Sequence, residues 1–300
     1  MKKYLSYLYV VLGAACWGMI GIFNRMLAAA GAAMGDTVVI RNTGSLLLMT
    51  VVFALFHRQV FQVKPRHFWI FLCSGAISVL CLGWTYFSCQ MVCSLAVAGI
   101  LLYLAPSFVV LASAVLWKER LTPRRAFSVL LALVGCALVS GVVGGDLTVS
   151  ARGLALGVGA GLSYASYTVF AHYGLKYYDS YTMIYGTFFV AGLASLLWLH
   201  PVALGAIFSQ RAGIIGALGL VVISTVLPYL FYTKGLERVE SGLASVIANV
   251  EPIVGALVGV TVFHEPLTMW AAAGILLVLG AAVLLAKGGT YGTTETAEMS

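Results

Sequence analysis

The sequence predicts an all-α polytopic membrane protein: ten transmembrane helices arranged as two inverted five-helix repeats. Three observations lead there. Of 300 residues, 61% are hydrophobic and 9% charged, with mean hydropathy +1.01, whereas a soluble domain carries roughly 25% charged residues. Apolar runs of about 18–24 residues, the length that crosses ~30 Å of hydrocarbon, recur with short connections. Features of the first half also return in the second at one constant spacing.

In order, the runs fall near 4–27, 36–56, 67–89, 93–117 and 126–144, then near 152–174, 180–199, 211–234, 242–263 and 269–287. The first opens Met1-Lys2-Lys3 and passes Gly13-Ala14-Ala15-Cys16, as a signal peptide or, loosely, a lipoprotein leader would. It continues through Trp17 to Phe23, too long for a signal h-region, so it reads as a retained helix. The tail 288–300, rich in Gly, Thr and Glu, is expected to be disordered. The six cysteines lie in or at the edge of apolar runs without metal-ligand spacing. Cys89 and Cys93 stand close enough to pair, but reduced, packed thiols are the favoured reading.

Charge sets the orientation. The formal net charge of +7 does not indicate nucleic acid, because the basic residues lie between the spans. With the N-terminus inside, Lys2, Lys3, Arg58, Lys64, Arg66, Lys118, Arg120, Arg124, Arg125, Lys176, Lys234, Arg238 and Lys287 are cytoplasmic. Arg25, Arg41, Arg152 and Arg211 face outward. Such a bias places both termini in the cytoplasm of a cell (inner or plasma) membrane.

A shift of 146 residues carries Gly13-Ala14 onto Gly159-Ala160, Tyr86 onto Tyr232 and Pro106 onto Pro252. The same shift carries Glu119-Arg120-Leu121-Thr122 onto Glu265-Pro266-Leu267-Thr268. Residues 1–145 and 146–287 are therefore read as two repeats. Five spans is an odd number, so the halves must lie in opposite orientation, the usual frame for alternating access around a midplane site. Glu119 and Glu265 occur in both halves, each before a Leu-Thr that can cap the next helix; they read as structural.

The ten spans, the Trp17-Gly18 of the first, the Pro-x12-Glu-x-Leu-Thr of each half and the Glu251-Pro252 of the ninth resemble the EamA-type branch of the drug/metabolite transporter superfamily. The resemblance covers residues 4 to 287. It implies that helices 1, 3, 4, 6, 8 and 9 surround a central cavity while 5 and 10 brace the halves. It does not select a substrate, since members export amino acids, other metabolites or drugs, and some import.

The stretch Ala248-Asn249-Val250-Glu251-Pro252 is the centre of the functional reading. It sets an amide, a carboxylate and a helix breaker inside one apolar run. A charge there costs ~2.5–3.5 kcal/mol on insertion scales, and intramembrane ionisable groups are functional by default. Pro252 lacks a backbone donor and crowds the carbonyl four residues earlier, so the Ala248 carbonyl is expected to stand open. The competing reading is a glutamate capped by neighbours and kept for packing. A midplane carboxyl facing a cavity can exchange a proton or hold a substrate ammonium, and competition between the two gives proton-coupled antiport.

A substrate site should lie where the halves differ. Glu251 stands opposite Ala105, Asn249 opposite Tyr103, Arg41 opposite Thr187, Arg25 opposite Ala171 and Trp17 opposite Ser163. Arg41 can clamp a substrate carboxylate, or snorkel or pair with Asp36; the readings are even. Arg25, with Asn24, is nearer the outer end, where snorkelling is favoured. Trp17, Trp84, Tyr86, Tyr103, Tyr164, Tyr167, Tyr229 and Tyr232 lie at similar depth and can wall a cavity or stack on a cation. Helix-end aromatics more often form an interfacial belt, so cavity lining is favoured for mid-span Tyr103 and Tyr164.

No catalytic set, metal pair, cofactor motif or phosphate loop is visible; the five histidines lie at helix ends or loops. The expected activity is secondary transport of a small organic metabolite such as an amino acid, more readily outward, with protons as the driver. Facilitated diffusion, import or the carriage of drug-like cations are alternatives. A non-transporting structural subunit is the alternative from another class.

Overall fold

In a computed structural model the described residues are 2–93, 95–118, 122–139, 150–264 and 268–286. Every regular element among them is helical. In chain order these are α1 (Tyr4–Ala29), α2 (Met34–Phe56), α3 (Pro65–Tyr86), α4 (Val97–Trp117) and α5 (Pro123–Val139). Then come α6 (Ala151–Gly174), α7 (Ser180–Trp198), α8 (Arg211–Leu236), α9 (Ser241–Phe263) and α10 (Met269–Ala286). A short helix, Pro201–Phe208, leads into α8. Eight of these are long and apolar enough to cross a membrane; α5 runs 17 residues, and α10 is apolar over Met269–Ala281. The tail 288–300, Glu119 and Glu265 lie outside the described residues.

Local chemistry sets the helix ends. Ser150 Oγ accepts from Gly153 N at 3.0 Å to open α6, and Asp179 Oδ1 accepts from Thr182 N at 2.8 Å to open α7. Asp36 closes the first turn of α2 by accepting from Ala33 N at 2.9 Å, which answers where that carboxylate goes: not to Arg41. Thr122 and Thr268, 146 residues apart, accept from Arg125 N at 3.3 Å and Ala271 N at 3.1 Å. The threonine caps of α5 and α10 are thus in place. Lys118 and His264, also 146 apart, end α4 and α9 with left-handed φ of 56° and 54°.

The helices pack mainly across the halves: α1 on α8, α3 on α6, α2 on α7 and α5 on α10. Small residues let the backbones meet. A Cβ on Gly135 would stand 2.8 Å from the Gly274 carbonyl oxygen, and one on Gly274 would stand 2.5 Å from that of Gly135. Serines and threonines are buried in the bundle, while Leu47, Val51, Leu55, Val115 and Leu276 are exposed on its outside, the inside-out polarity of a protein solvated by lipid.

Two helices carry wide i→i+5 turns, α3 over Ser74–Cys81 and α8 over Val222–Val226. Such turns free carbonyls and shift register, and they cluster at functional positions. Each holds a serine that reaches the opposite half. Ser78 shares a 2.7 Å hydrogen bond with Ser166 of α6, and Ser224 donates to the Cys16 carbonyl of α1 at 3.1 Å. All six cysteines are free thiols.

Candidate functional site

Two interrupted helices build the site. Helix α9 breaks at Ala248–Asn249, three residues ahead of Pro252, and α4 breaks at Tyr103–Leu104, ahead of Pro106. The expectation that the Ala248 carbonyl stands open is corrected: it accepts from Glu251 N at 2.9 Å. The chain tightens to an i→i+3 turn there, which supplies the donor that Pro252 lacks. That turn swings the Glu251 side chain into a central cavity.

The cavity lies among α1, α4, α6, α8 and α9. It holds about 440 Å³ of atom-free space, of which about 20 Å³ is wide enough for the centre of a water molecule. That is room for ordered water and little else. Trp17, Tyr103, Tyr164, Tyr167, Tyr229 and Tyr232 wall it, with Ser245, Asn249 and Glu251 along its α9 side.

Trp17 is the hub of the aromatic wall. Its ring centroid stands 5.3 Å from those of Tyr229 and Tyr232 and 6.0 Å from that of Tyr164, the Tyr229 and Tyr164 contacts being edge-on, the arrangement that ring quadrupoles favour. The hydroxyls find partners too: Tyr167 with Thr233 at 2.6 Å, and Thr168 with Tyr232 at 2.8 Å. Tyr164 Oη donates to Glu251 Oε2 at 2.6 Å. Gly18 makes the wall possible, because a Cβ there would stand 2.6 Å from the Glu251 carbonyl oxygen.

Asn249 is 3% exposed and its Nδ2 has no hydrogen-bond partner. Arg41 lies within hydrogen-bonding reach of Tyr229, and its charge acts on Glu251; its Nε is buried without a partner. The structure therefore sets a carboxylate and an unpaired amide donor along one void, with the Arg41 guanidinium behind Tyr229.

Of the residues anticipated from the sequence, Glu251, Asn249, Trp17, Tyr103, Tyr164, Tyr167 and Tyr229 line the cavity, and Arg41 stands behind Tyr229. Tyr86 neighbours Tyr103 without lining the void, and Asn24 is half-buried on α1 with an unpartnered Oδ1. Trp84 is a correction. It is 63% exposed on the outside of α3, because its neighbour Thr85 faces α6 at Gly159 and successive residues turn about 100° apart. Arg25 stacks its guanidinium 3.8 Å over Phe263. Thr168 and Ser245 were missed. Each stands four residues from a named site residue, Tyr164 and Asn249, so the i, i+4 rule would have found them.

Comparison with known proteins agrees with this architecture. A solved structure described only as "Crystal structure of protein" superposes with a TM-score of 0.78 at 17% identity, covering 93% of this chain and 96% of that one; at that identity the likeness is of fold. An "Uncharacterized transporter" of Archaeoglobus fulgidus is 32% identical over 194 residues, 64% of this chain and 66% of that protein. A second from the same organism is 30% identical over 61% of this chain and 64% of its own length. The chain thus spans just under two thirds of those relatives. The "Uncharacterized transporter YwfM" of Bacillus subtilis is 26% identical over the full length of both. The profile of the EamA-like transporter family matches residues 4–141 and 151–287, and the chain belongs to that family.

Proposed function

We propose that the protein is a secondary transporter of the cell membrane that moves a small organic metabolite outward by alternating access, coupled to protons at Glu251. The substrate in this reading is an amino acid or similar amphoteric solute, its ammonium held by Glu251 and its carboxylate by Arg41. Its ten helices form two inverted five-helix repeats, 1–145 and 146–287, with both termini in the cytoplasm. The pairings support the repeat: exchanging the halves turns α1 on α8 into α6 on α3 and leaves α2 on α7 and α5 on α10 unchanged. The bias of Lys and Arg supports the orientation.

The observation that carries the reading is the Glu251 carboxylate. It stands near the middle of a membrane-length helix, keeps accessible surface toward the cavity, and takes a single side-chain hydrogen bond from the described residues, that of Tyr164. A carboxylate kept for packing would be fully paired and sealed. The test is a thermal-shift screen of the purified protein against metabolites, since a ligand stabilises by RT ln(1 + [L]/Kd). Flux of each hit in proteoliposomes with and without a pH gradient follows. Amphoteric hits with gradient-dependent flux support the proposal. Hits with gradient-independent flux would make it a facilitative carrier, and a complete absence of flux would count for a structural subunit.

A further inference from the structure

Helix α9 is tied at each of its ends to a contact between an aromatic ring and a nitrogen-bearing side chain of the other half. At its last residue the Phe263 ring lies under the Arg25 guanidinium of α1, 3.8 Å from ring centroid to Cζ. At its first residue Ser241 Oγ bonds to His172 Nδ1 of α6 at 2.9 Å, and the His172 ring stacks on Trp117 of α4, centroids 4.1 Å apart and planes 38° from parallel. Ser241 and Phe263 bound a 23-residue span, so at 1.5 Å per residue the two contacts lie about 33 Å apart, at opposite ends of the bundle with the Glu251 cavity between them.

The two contacts are related by the repeat. Trp117 and Phe263 stand 146 residues apart, and each is followed by the left-handed residue that ends its helix, Lys118 or His264. Arg25 corresponds to Ala171, the residue before His172. Each contact joins the first helix of one half to the fourth of a half: α1 to α9, and α6 to α4. A guanidinium over an aromatic face and an imidazole ring against an indole are both attractions of moderate strength, enough to hold a closed end and weak enough to release it. Both contacts are made here, which fits a cavity too small for a solute.

We infer that Arg25–Phe263 and His172–Trp117 are the two latches of the transport cycle, each closing the cavity toward one face of the membrane and each opening while the other holds. This rests on the alternating-access reading above. The ring residues are positioning groups: they touch no substrate and set which end of the cavity is open.

The test places one reporter thiol on the cavity wall, Ser245→Cys, in full-length protein with its six native cysteines replaced by alanine. Labelling by a membrane-impermeant maleimide is measured in vesicles of both orientations. Phe263→Ala should raise labelling about fivefold, the weight of one cation–π contact, from the face at the Phe263 end alone, and Trp117→Ala should raise it about as much, the weight of one ring–ring contact, from the opposite face alone. Phe263→Tyr and Trp117→Phe keep the ring and should label as the parent does. If the alanine variants do not fold, Phe263→Leu and Trp117→Leu keep bulk, lose the π face and carry the same expectation. A parent thiol reached from both faces, but unmoved by these variants or moved on the wrong face, overturns the latches and spares alternating access. A thiol reached from one face only, in every variant, overturns both.

Discussion

The Tyr164 hydroxyl donates a 2.6 Å hydrogen bond to Oε2 of Glu251, joining the middle of α6 to the middle of α9. The repeat supplies no counterpart, because the equivalents of these residues are Gly18 and Ala105. The first half holds a glycine and an alanine at those two positions, where the second holds the donor and the acid. Tyr164→Phe keeps the ring against Trp17 and removes the donor. A hydrogen bond to a charged group contributes ~1.5–3 kcal/mol, so unfolding in detergent should shift down by a few degrees. Flux in proteoliposomes should fall about tenfold if Tyr164 also orients the carboxylate, since 1.4 kcal/mol is a factor of ten. A lower melting point with undiminished flux would make the hydroxyl a purely structural partner.

Glu251→Gln is the sharper variant. Glutamine fills the same volume, still accepts from Tyr164, and cannot carry a negative charge or release a proton. Expression and melting temperature should stay near those of the parent. Transport driven by a pH gradient should be abolished, while any residual substrate exchange should lose its dependence on pH. Reconstituted flux measured across a series of imposed gradients decides it: full pH-dependent transport by the variant removes Glu251 from the coupling.

What the sequence disclosed and what it hid divide along one line. A constant shift of 146 residues was enough to anticipate Thr122 and Thr268 as matched caps, and a carboxylate beside a proline was enough to single out Glu251, which lines the cavity. Both are statements about positions along a chain. Trp84 and the Ala248 carbonyl were misread because they depend on rotation about a helix axis and on local tightening. Thr85 takes the α6-facing direction and leaves Trp84 outward, while an i→i+3 turn satisfies Ala248. The wide turns of α3 and α8 are equally invisible to a 3.6-residue period. Hydropathy says that a segment is buried in lipid or protein, not which of its faces meets which.

Arg41 tests the other half of the substrate reading. It stands within reach of Tyr229 and bears on Glu251, and Asp36, its anticipated partner, is engaged at the start of α2. A guanidinium one side chain back from the cavity takes a carboxylate through two parallel bonds once Tyr229 yields. Arg41→Ala should weaken amphoteric and anionic ligands about tenfold or more, in line with one buried charge-assisted contact. Purely cationic ligands, which meet Glu251 alone, should bind as well or better. Affinities from thermal shift or calorimetry against matched amine and amino-acid pairs give the comparison, and equal losses for both would return Arg41 to a structural role.

The brace between the halves carries the last prediction. Gly135 and Gly274 let α5 and α10 meet backbone to backbone, and a side chain on either would enter the other's carbonyl at 2.8 or 2.5 Å. No rotamer relieves that, since the obstacle is main chain on both sides. Gly135→Val should therefore cost at least the ~1–3 kcal/mol typical of overpacking, lowering the melting temperature and the yield of folded protein. Gly21, on α1, has nothing within 4 Å of where its Cβ would stand. Gly21→Ala should be neutral or stabilising by up to ~1 kcal/mol, because alanine is the better helix former. Melting curves of the two variants in one detergent separate the readings. If Gly135→Val melts with the parent, the helices have room to part, and the contact of α5 with α10 is not a rigid brace.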